Sequence, residues 1–219
     1  MRPLADDFYQ IAVMPFSSVN AYFAGGVLFD AGTRQSKGKL LKSLRGRTVT
    51  AHALTHAHPD HQGSSHAVCE ALGLPLWCGT GDADAMETGD FGIPDNAVSR
   101  FVDRAWTGPP RPVARRLKEG DEVGGFTVIE TPGHSPGHVV YWRERDRTLI
   151  IGDVLRNMSF ATLLPGLREP PAVFTPDPAQ NRASARKLLG LNPALVAFGH
   201  GAPIRDAGRF NEFVSSLAV

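Results

Sequence analysis

Thr55-His56-Ala57-His58-Pro59-Asp60-His61-Gln62-Gly63 places three imidazoles and one carboxylate within the six positions from His56 to His61. The segment Thr48 to Thr55 before it is β-branched and apolar and is predicted to be a strand, so the string stands at a strand end. Imidazole and carboxylate together suit zinc and other first-row divalent ions. In an extended chain His56 and His58 point to the same side and can reach one ion. A turn at Pro59 then lets Asp60 and His61 face a second ion nearby.

Completing two such sites needs more ligands, and the sequence offers three at the ends of apolar segments. His134 lies in Thr131-Pro132-Gly133-His134, after a strand predicted over Phe126 to Glu130. Asp153 follows Leu149-Ile150-Ile151-Gly152, and His200 sits in Phe198-Gly199-His200-Gly201 after the apolar run Ala194 to Phe198. Ligands at the ends of strands from different parts of the chain are what a rigid, preorganised site requires.

Further strands are expected at Phe8 to Val13, Asn20 to Phe23, Val27 to Phe29, Leu74 to Cys78, Ala114 to Leu117, His138 to Arg143 and Thr148 to Ile151. Helices are expected at Gln35 to Leu44 and Ser64 to Leu72. Another runs from an Asp177 cap with Pro178 at its first position to Leu189, and the last carries the stripe Phe210, Phe213, Val214, Leu217. The stretch Gly79 to Pro112, with Met86, Phe91, Phe101 and Trp106 scattered along it, reads as helical pieces and loops. Strands in two groups, each followed by helices, predict a layered α/β domain with two sheets inside.

The composition narrows the function classes. The chain has 219 residues, with 23 Lys plus Arg against 22 Asp plus Glu and a net charge of +1. This balance does not suggest nucleic-acid binding, which needs a basic excess on some face. Ala194 to Phe198, five residues, is the longest unbroken apolar run, where a membrane span needs about 20. The two acids at Asp6 and Asp7 interrupt what would be a signal peptide, and the two cysteines, Cys69 and Cys78, fit a reducing compartment. A cytoplasmic setting and a single domain over residues 1–219 are therefore expected; the oligomeric state is not written in the sequence.

The His-x-His-x-Asp-His string, Gly-His after Thr-Pro, Gly-Asp at a strand end and the late Gly-His-Gly resemble the metallo-β-lactamase superfamily, in the family's order. Asn20 and the Asp30-Ala31-Gly32 run resemble its N-terminal signature, so the likeness runs from Asn20 to His200. It implies an αββα sandwich with the metal site at one edge of the two sheets. It also implies that His56, His58 and His134 hold a first metal and that Asp60, His61 and His200 hold a second, with Asp153 bridging. Zinc is the default pair, although family members also use iron or manganese. The implied activity is hydrolysis of an ester, thioester or lactone of a small molecule by a metal-bridging hydroxide, with Asp60 as a proton shuttle. Two divalent cations against Asp60, Asp153 and hydroxide leave about +1, which favours a substrate with an anionic group. An iron-dependent redox enzyme resembling the sulfur dioxygenases is the alternative, although Val154-Leu155-Arg156-Asn157 does not match the string those relatives carry.

The nearest branch by its ligands is the glyoxalase II type, whose glutathione-binding C-terminal region has no room in the 19 residues after His200. His52, His66 and His138 are read as packed or hydrogen-bonding histidines, with His138 placed behind the metal ligands. Asp30 is read either as orienting a metal-binding histidine or as a strand-end turn residue, and Asn20 as a structural turn residue. Cys69 and Cys78 are read as small buried hydrophobes. Arg156, Met158 and Phe160, which follow Asp153, are read equally as pocket lining or as scaffold.

Overall fold

The computed structural model describes residues 1–90 and 97–217. Phe91, one of the scattered apolar residues noted above, lies outside them. Strands β1 (Arg2–Ala5), β2 (Phe8–Ala12), β3 (Asn20–Ala24) and β4 (Val27–Phe29) precede helix α1 (Lys37–Ser43) and strand β5 (Ala51–Ala53). Helices α2 (Pro59–Gln62) and α3 (Ser65–Leu72), strand β6 (Leu76–Gly79), and helices α4 (Thr80–Thr88) and α5 (Ala97–Trp106) follow. Strands β7 (Arg115–Leu117), β8 (Glu122–Val123), β9 (Phe126–Glu130), β10 (Val139–Arg143) and β11 (Thr148–Gly152) come next. The described elements end with helix α6 (Pro178–Lys187), strand β12 (Leu195–Phe198) and helix α7 (Ala207–Ser216).

The strands form two sheets, one in the order β1 to β7 and the other β12-β11-β10-β9-β8. In the first, β1 to β4 pair antiparallel and β4 to β7 parallel; in the second, only β11 and β12 are parallel. Period-2 alternation shows how both faces are used. Val27 and Phe29 face the second sheet, where they meet Phe126, Val139, Tyr141 and Ile150. Leu28, between them, faces the other way and packs with Leu40 of α1, Val68 of α3 and Met86 of α4. On the second sheet Val140, Trp142, Leu149 and Ile151 point outward onto Ala185 of α6 and Phe210 and Val214 of α7. The result is the expected four-layered αββα sandwich. Burial on both faces explains why the central strands read as continuous apolar runs.

Several expectations need correction. β1 went unread because its edge position leaves only Leu4 buried, and Pro3 is tolerated where no neighbour demands its N–H. The two-residue β8 carries no periodicity to read. The strand expected over Thr48 to Thr55 is ordered as a strand only at Ala51–Ala53, and the helix expected from Gln35 begins at Lys37. The Asp177 cap and the Pro178 start are as expected: the Asp177 carboxylate accepts the Gln180 N–H at 2.8 Å. That helix stops at Lys187, two residues short, and tightens into a 3-10 turn over Leu189–Leu191. Among the described residues no helix is long and apolar enough to cross a membrane.

Phe126 joins the two sheets: it is fully buried, with its ring centroid 5.5 Å from that of Phe29 and 5.8 Å from that of Phe8. Phe126→Ala is expected to cost about 3–5 kcal/mol. At roughly 2–4 °C per kcal/mol for a chain of this size, the melting temperature should fall by on the order of 10 °C. Thermal unfolding followed by circular dichroism checks this, and a shift under about 3 °C would show that the intersheet core is not limiting.

Candidate metal centre

All the sequence-nominated ligands lie at the same edge of the sandwich, just beyond strand ends. Thr55 and His56 follow β5, His134 follows β9, Asp153 follows β11 and His200 follows β12. Pro59 starts the single-turn α2, and this turn brings Asp60 and His61 around to the same place. Three overlapping groups have ligand atoms within 4.8 Å of one another: His56, His58 and His134; His56, His61 and Asp153; and Asp60, His61 and His200. The seven residues therefore converge. Asp153 lies between the outer triads, with Oδ2 at 3.0 Å from His200 Nε2 and 3.7 Å from His134 Nε2, and Oδ1 at 3.4 Å from His61 Nε2.

The hydrogen bonds behind the imidazoles determine which nitrogen faces inward. His61 Nδ1 lies 3.0 Å from Asp30 Oδ2, an acceptor, so Nδ1 carries a proton and Nε2 is the nitrogen that faces the centre. His200 Nδ1 donates to the Ser18 carbonyl, with the same consequence. The Thr55 hydroxyl donates to the Asp30 carboxylate and therefore accepts from His56 Nδ1, at 3.0 Å. The Thr175 hydroxyl donates to the Pro171 carbonyl and accepts from His134 Nδ1, also at 3.0 Å. Each of these four rings turns its Nε2 toward the centre.

This arrangement fits a divalent cation. His56 Nε2, His61 Nε2, His134 Nε2 and Asp153 Oδ1 are buried with no hydrogen-bond partner among the described residues. Buried polar atoms are nearly always paired, so four converging orphans of one chemical kind call for an electrophile. Gly199 leaves the space beneath them open, since a Cβ there would lie 2.2 Å from Asp153 Oδ1 and 2.5 Å from His61 Cε1.

The electrostatics divide the imidazoles. Burial, helped by the neighbouring rings, holds His56 and His134 well below the ordinary histidine range, so both are neutral. Burial also opposes charge on His61 and His200, yet the carboxylates win: Asp153 and Asp30 raise His61, and Asp153 with Asp60 raises His200 to about 10. Asp60 and Asp153 are lowered despite burial, chiefly by hydrogen bonding and attraction to these same imidazoles. Protons and cations thus compete for the second triad.

The remaining nominated residues have distinct places. Asp30 takes the first of its two expected roles: its carboxylate accepts the Thr55 N–H at 2.8 Å and orients both His61 and, through Thr55, His56. It holds a left-handed backbone (φ +58°), which aspartate tolerates better than bulkier residues do. His138 is kept from ligation because its Nε2 accepts the Asp153 N–H at 3.1 Å; burial drives its pKa down to about 3. His52 is buried between the Leu28 carbonyl and Ser65 Oγ, and His66 bonds Pro110 at the surface. Cys69 and Cys78 are buried and unpaired.

Asn20 is not the turn residue expected. It lies in β3, fully buried, and its Nδ2 donates to the carbonyls of Phe198 (3.1 Å) and Gly201 (2.8 Å), pinning the turn that carries His200. Asp82, which no motif marked, does similar work on the other side. Its Oδ2 accepts the Ala57 N–H (2.9 Å) and the Ser135 hydroxyl (2.7 Å), and its Oδ1 accepts the Gly137 N–H (2.6 Å). One buried carboxylate thereby clamps the His56–His58 segment to the His134 turn. The only sequence signal was an aspartate in the first turn of a helix, an unremarkable place for one.

Related proteins share this geometry's sequence signature and fold. The family model described as "Metallo-beta-lactamase superfamily" matches residues 14–200, so the chain belongs to that superfamily. Among curated relatives, the probable metallo-hydrolase YflN of Bacillus subtilis is 29% identical over 217 residues, covering 89% of this chain and 82% of its own length. The hydroxyacylglutathione hydrolase of Bdellovibrio bacteriovorus is 29% identical over 173 residues, covering 76% of this chain but only 56% of its own. The solved structure of TTHA1623 in a di-iron-bound form is 33% identical, covers 94% of this chain and 99% of its own, and superposes with a TM-score of 0.70.

Two outcomes follow for metal uptake. Asp82→Ala should weaken the His56–His58–His134 site by about 10- to 100-fold while leaving the Asp60–His61–His200 site nearly unchanged. Competition with a chromogenic chelator measures both sites, and equal loss at the two would contradict the clamp. Because His61 and His200 must give up protons to bind a cation, affinity should fall as pH drops from 8 to 6, and binding should release protons. Calorimetry in buffers of different ionisation enthalpy reads that release directly.

Proposed function

We propose that this chain is a dinuclear zinc-dependent hydrolase that cleaves an ester, thioester or lactone bond of a small acyl compound. The observation that carries the reading is the Asp153 carboxylate, whose oxygens face both the His134 side and the His61–His200 side of one buried centre. His56, His58 and His134 would hold one ion and Asp60, His61 and His200 the other, with Asp153 between them. Imidazole and carboxylate donors without thiolate suit zinc, and also iron or manganese. Such a pair supplies Lewis acidity, bringing the ionisation of water near pH 7 and polarising a carbonyl.

The protein's own groups do the rest. Asp60 is the more accessible of the two site carboxylates (side chain 18% exposed against 8% for Asp153), and its Oδ2 lies 3.2 Å from His200 Nε2. It can take the proton of an attacking water and pass it to the leaving group. Asp30, Thr55, Thr175 and the Ser18 carbonyl hold the imidazoles against rotation, so little reorganisation accompanies the reaction. The hydroxyacylglutathione hydrolase relative supports an acyl substrate, and the residual positive charge of the centre favours one with an anionic group. Unpaired, buried Cys69 and Cys78 support a cytoplasmic setting. The competing reading, a single-iron redox centre, leaves Asp60, His61 and His200 without a role as a complete triad.

Chelation should abolish turnover of an ester, thioester, lactone and β-lactam panel, and Zn²⁺ should restore it with two ions per chain. One iron per chain with a visible absorption band would favour the redox reading instead. Asp60→Asn should lower kcat by about 10²-fold or more, with metal content measured alongside. Full activity in a variant that retains both ions would remove Asp60 from proton transfer.

A further inference from the structure

Seven large apolar side chains stand exposed among the described residues, and five of them lie on segments tied to the metal centre. Phe16, 78% exposed, immediately precedes Ser17 and Ser18, whose carbonyls accept from the Gly201 N–H and His200 Nδ1. Val173 lies in the short turn that leads to Thr175, the partner of His134. Phe160, Leu163 and Leu164 share the tip of one hairpin. Met1 and Leu72 are the two that lie elsewhere. Apolar exposure this concentrated marks a binding surface.

The hairpin is built, and it is rooted in the centre. Arg156 and Arg168 exchange backbone hydrogen bonds at 3.0 and 2.9 Å, and the Asn157 N–H donates to the His200 carbonyl at 2.8 Å. The Ser159 N–H to Leu164 carbonyl bond (2.9 Å) closes the tip. At that tip the Phe160 ring stands edge-on to the His200 imidazole with centroids 4.9 Å apart, and the Arg156 guanidinium lies 4.5 Å from the Phe160 centroid. Arg156 is itself fixed by donating to the carbonyls of Met158 and Glu169. Leu163 is held at φ +59°, a strained conformation for a bulky residue, and is nearly half exposed. Arg156 and Phe160 therefore line the approach to the centre, whereas Met158 is buried scaffold.

We propose that this rim binds an apolar tail of the substrate, so that the enzyme acts on carbonyl compounds bearing a medium-length aliphatic or aromatic acyl group. The inference rests on the hydrolase reading of the centre and specifies its substrate class. Continuity supports this: Phe160 packs on His200 of the centre, and Leu163 and Leu164 follow it on the same hairpin tip, where they would meet the atoms next to a carbonyl held at the centre. A polar centre with an apolar border selects molecules that join one polar, cleavable group to an apolar remainder.

Calorimetric titration of the zinc-loaded protein with butanoate and octanoate tests the rim independently of turnover. A fully buried methylene gives about fourfold in affinity, so four partly covered ones should make octanoate bind about tenfold tighter than butanoate. Phe160→Ala and Leu164→Ser should each reduce that ratio at least threefold, whereas Leu72→Ser, remote from the centre, should preserve it. The ratio of kcat/KM for p-nitrophenyl octanoate over p-nitrophenyl acetate should fall in the same two variants. Equal binding of the two carboxylates, or a ratio that survives both substitutions, overturns the proposal. So does a concentration-dependent dimer that Phe160→Ala dissociates and octanoate does not, which would assign the rim to a second copy. If the titrations behave as expected and no ester, thioester or lactone is cleaved, the hydrolase reading fails, and with it the substrate class, while the rim keeps its role as an apolar binding surface.

Discussion

Burying unpartnered polar atoms is expensive, and this protein does so at four converging points. His56 Nε2, His61 Nε2, His134 Nε2 and Asp153 Oδ1 are buried facing one another with no hydrogen-bond partner among the described residues, so a proton or a cation is needed between them. The constraint extends outward. Each inward-facing nitrogen requires a protonated Nδ1 behind it, and each Nδ1 requires an acceptor: Thr55, Asp30, Thr175 or the Ser18 carbonyl. Those acceptors in turn sit on β-strand ends or on loops tied to them, so the sandwich and the centre cannot be specified separately.

Two buried side chains show how the layers are locked to this requirement. Asn20 reaches from the first sheet to the turn after β12 in the second, and Asp82 reaches from a helix to the two loops that carry His56, His58 and His134. Neither touches the position a metal would take. Both fix backbone whose displacement by an ångström would spoil ligand geometry. The hairpin bearing Phe160 is attached to the same turn as His200, so the surface that would receive a substrate and the group that would hold a cation form one mechanical unit.

The strands carrying the ligands were readable because they are short, apolar and terminated by glycine or by the histidine string itself. β9 over Phe126–Glu130 and β12 over Leu195–Phe198 match their expected positions closely. What escaped were elements with no pattern to read: the edge strand β1, with one buried residue, and the two-residue β8. The stretch Gly79 to Pro112 showed only that it holds helical pieces. That one of these, α4, supplies the clamp Asp82 depends on Gly79 and Gly81, whose missing side chains let Gly137 and Pro136 approach the backbone.

The chemical kind of the centre is legible in the chain alone, because imidazole and carboxylate spacing at strand ends is a local property of the covalent chain. His56, His58, Asp60, His61, His134, Asp153 and His200 were all legible in that way. The ring orientations, the roles of Asp30 and His138, the place of Asn20 and the Asp82 clamp come from the folded arrangement. Most of these depend on hydrogen bonds between residues 15 to 182 positions apart, which leave no periodicity to detect. Spacing along the chain names the ligands; contacts across it determine how they are held.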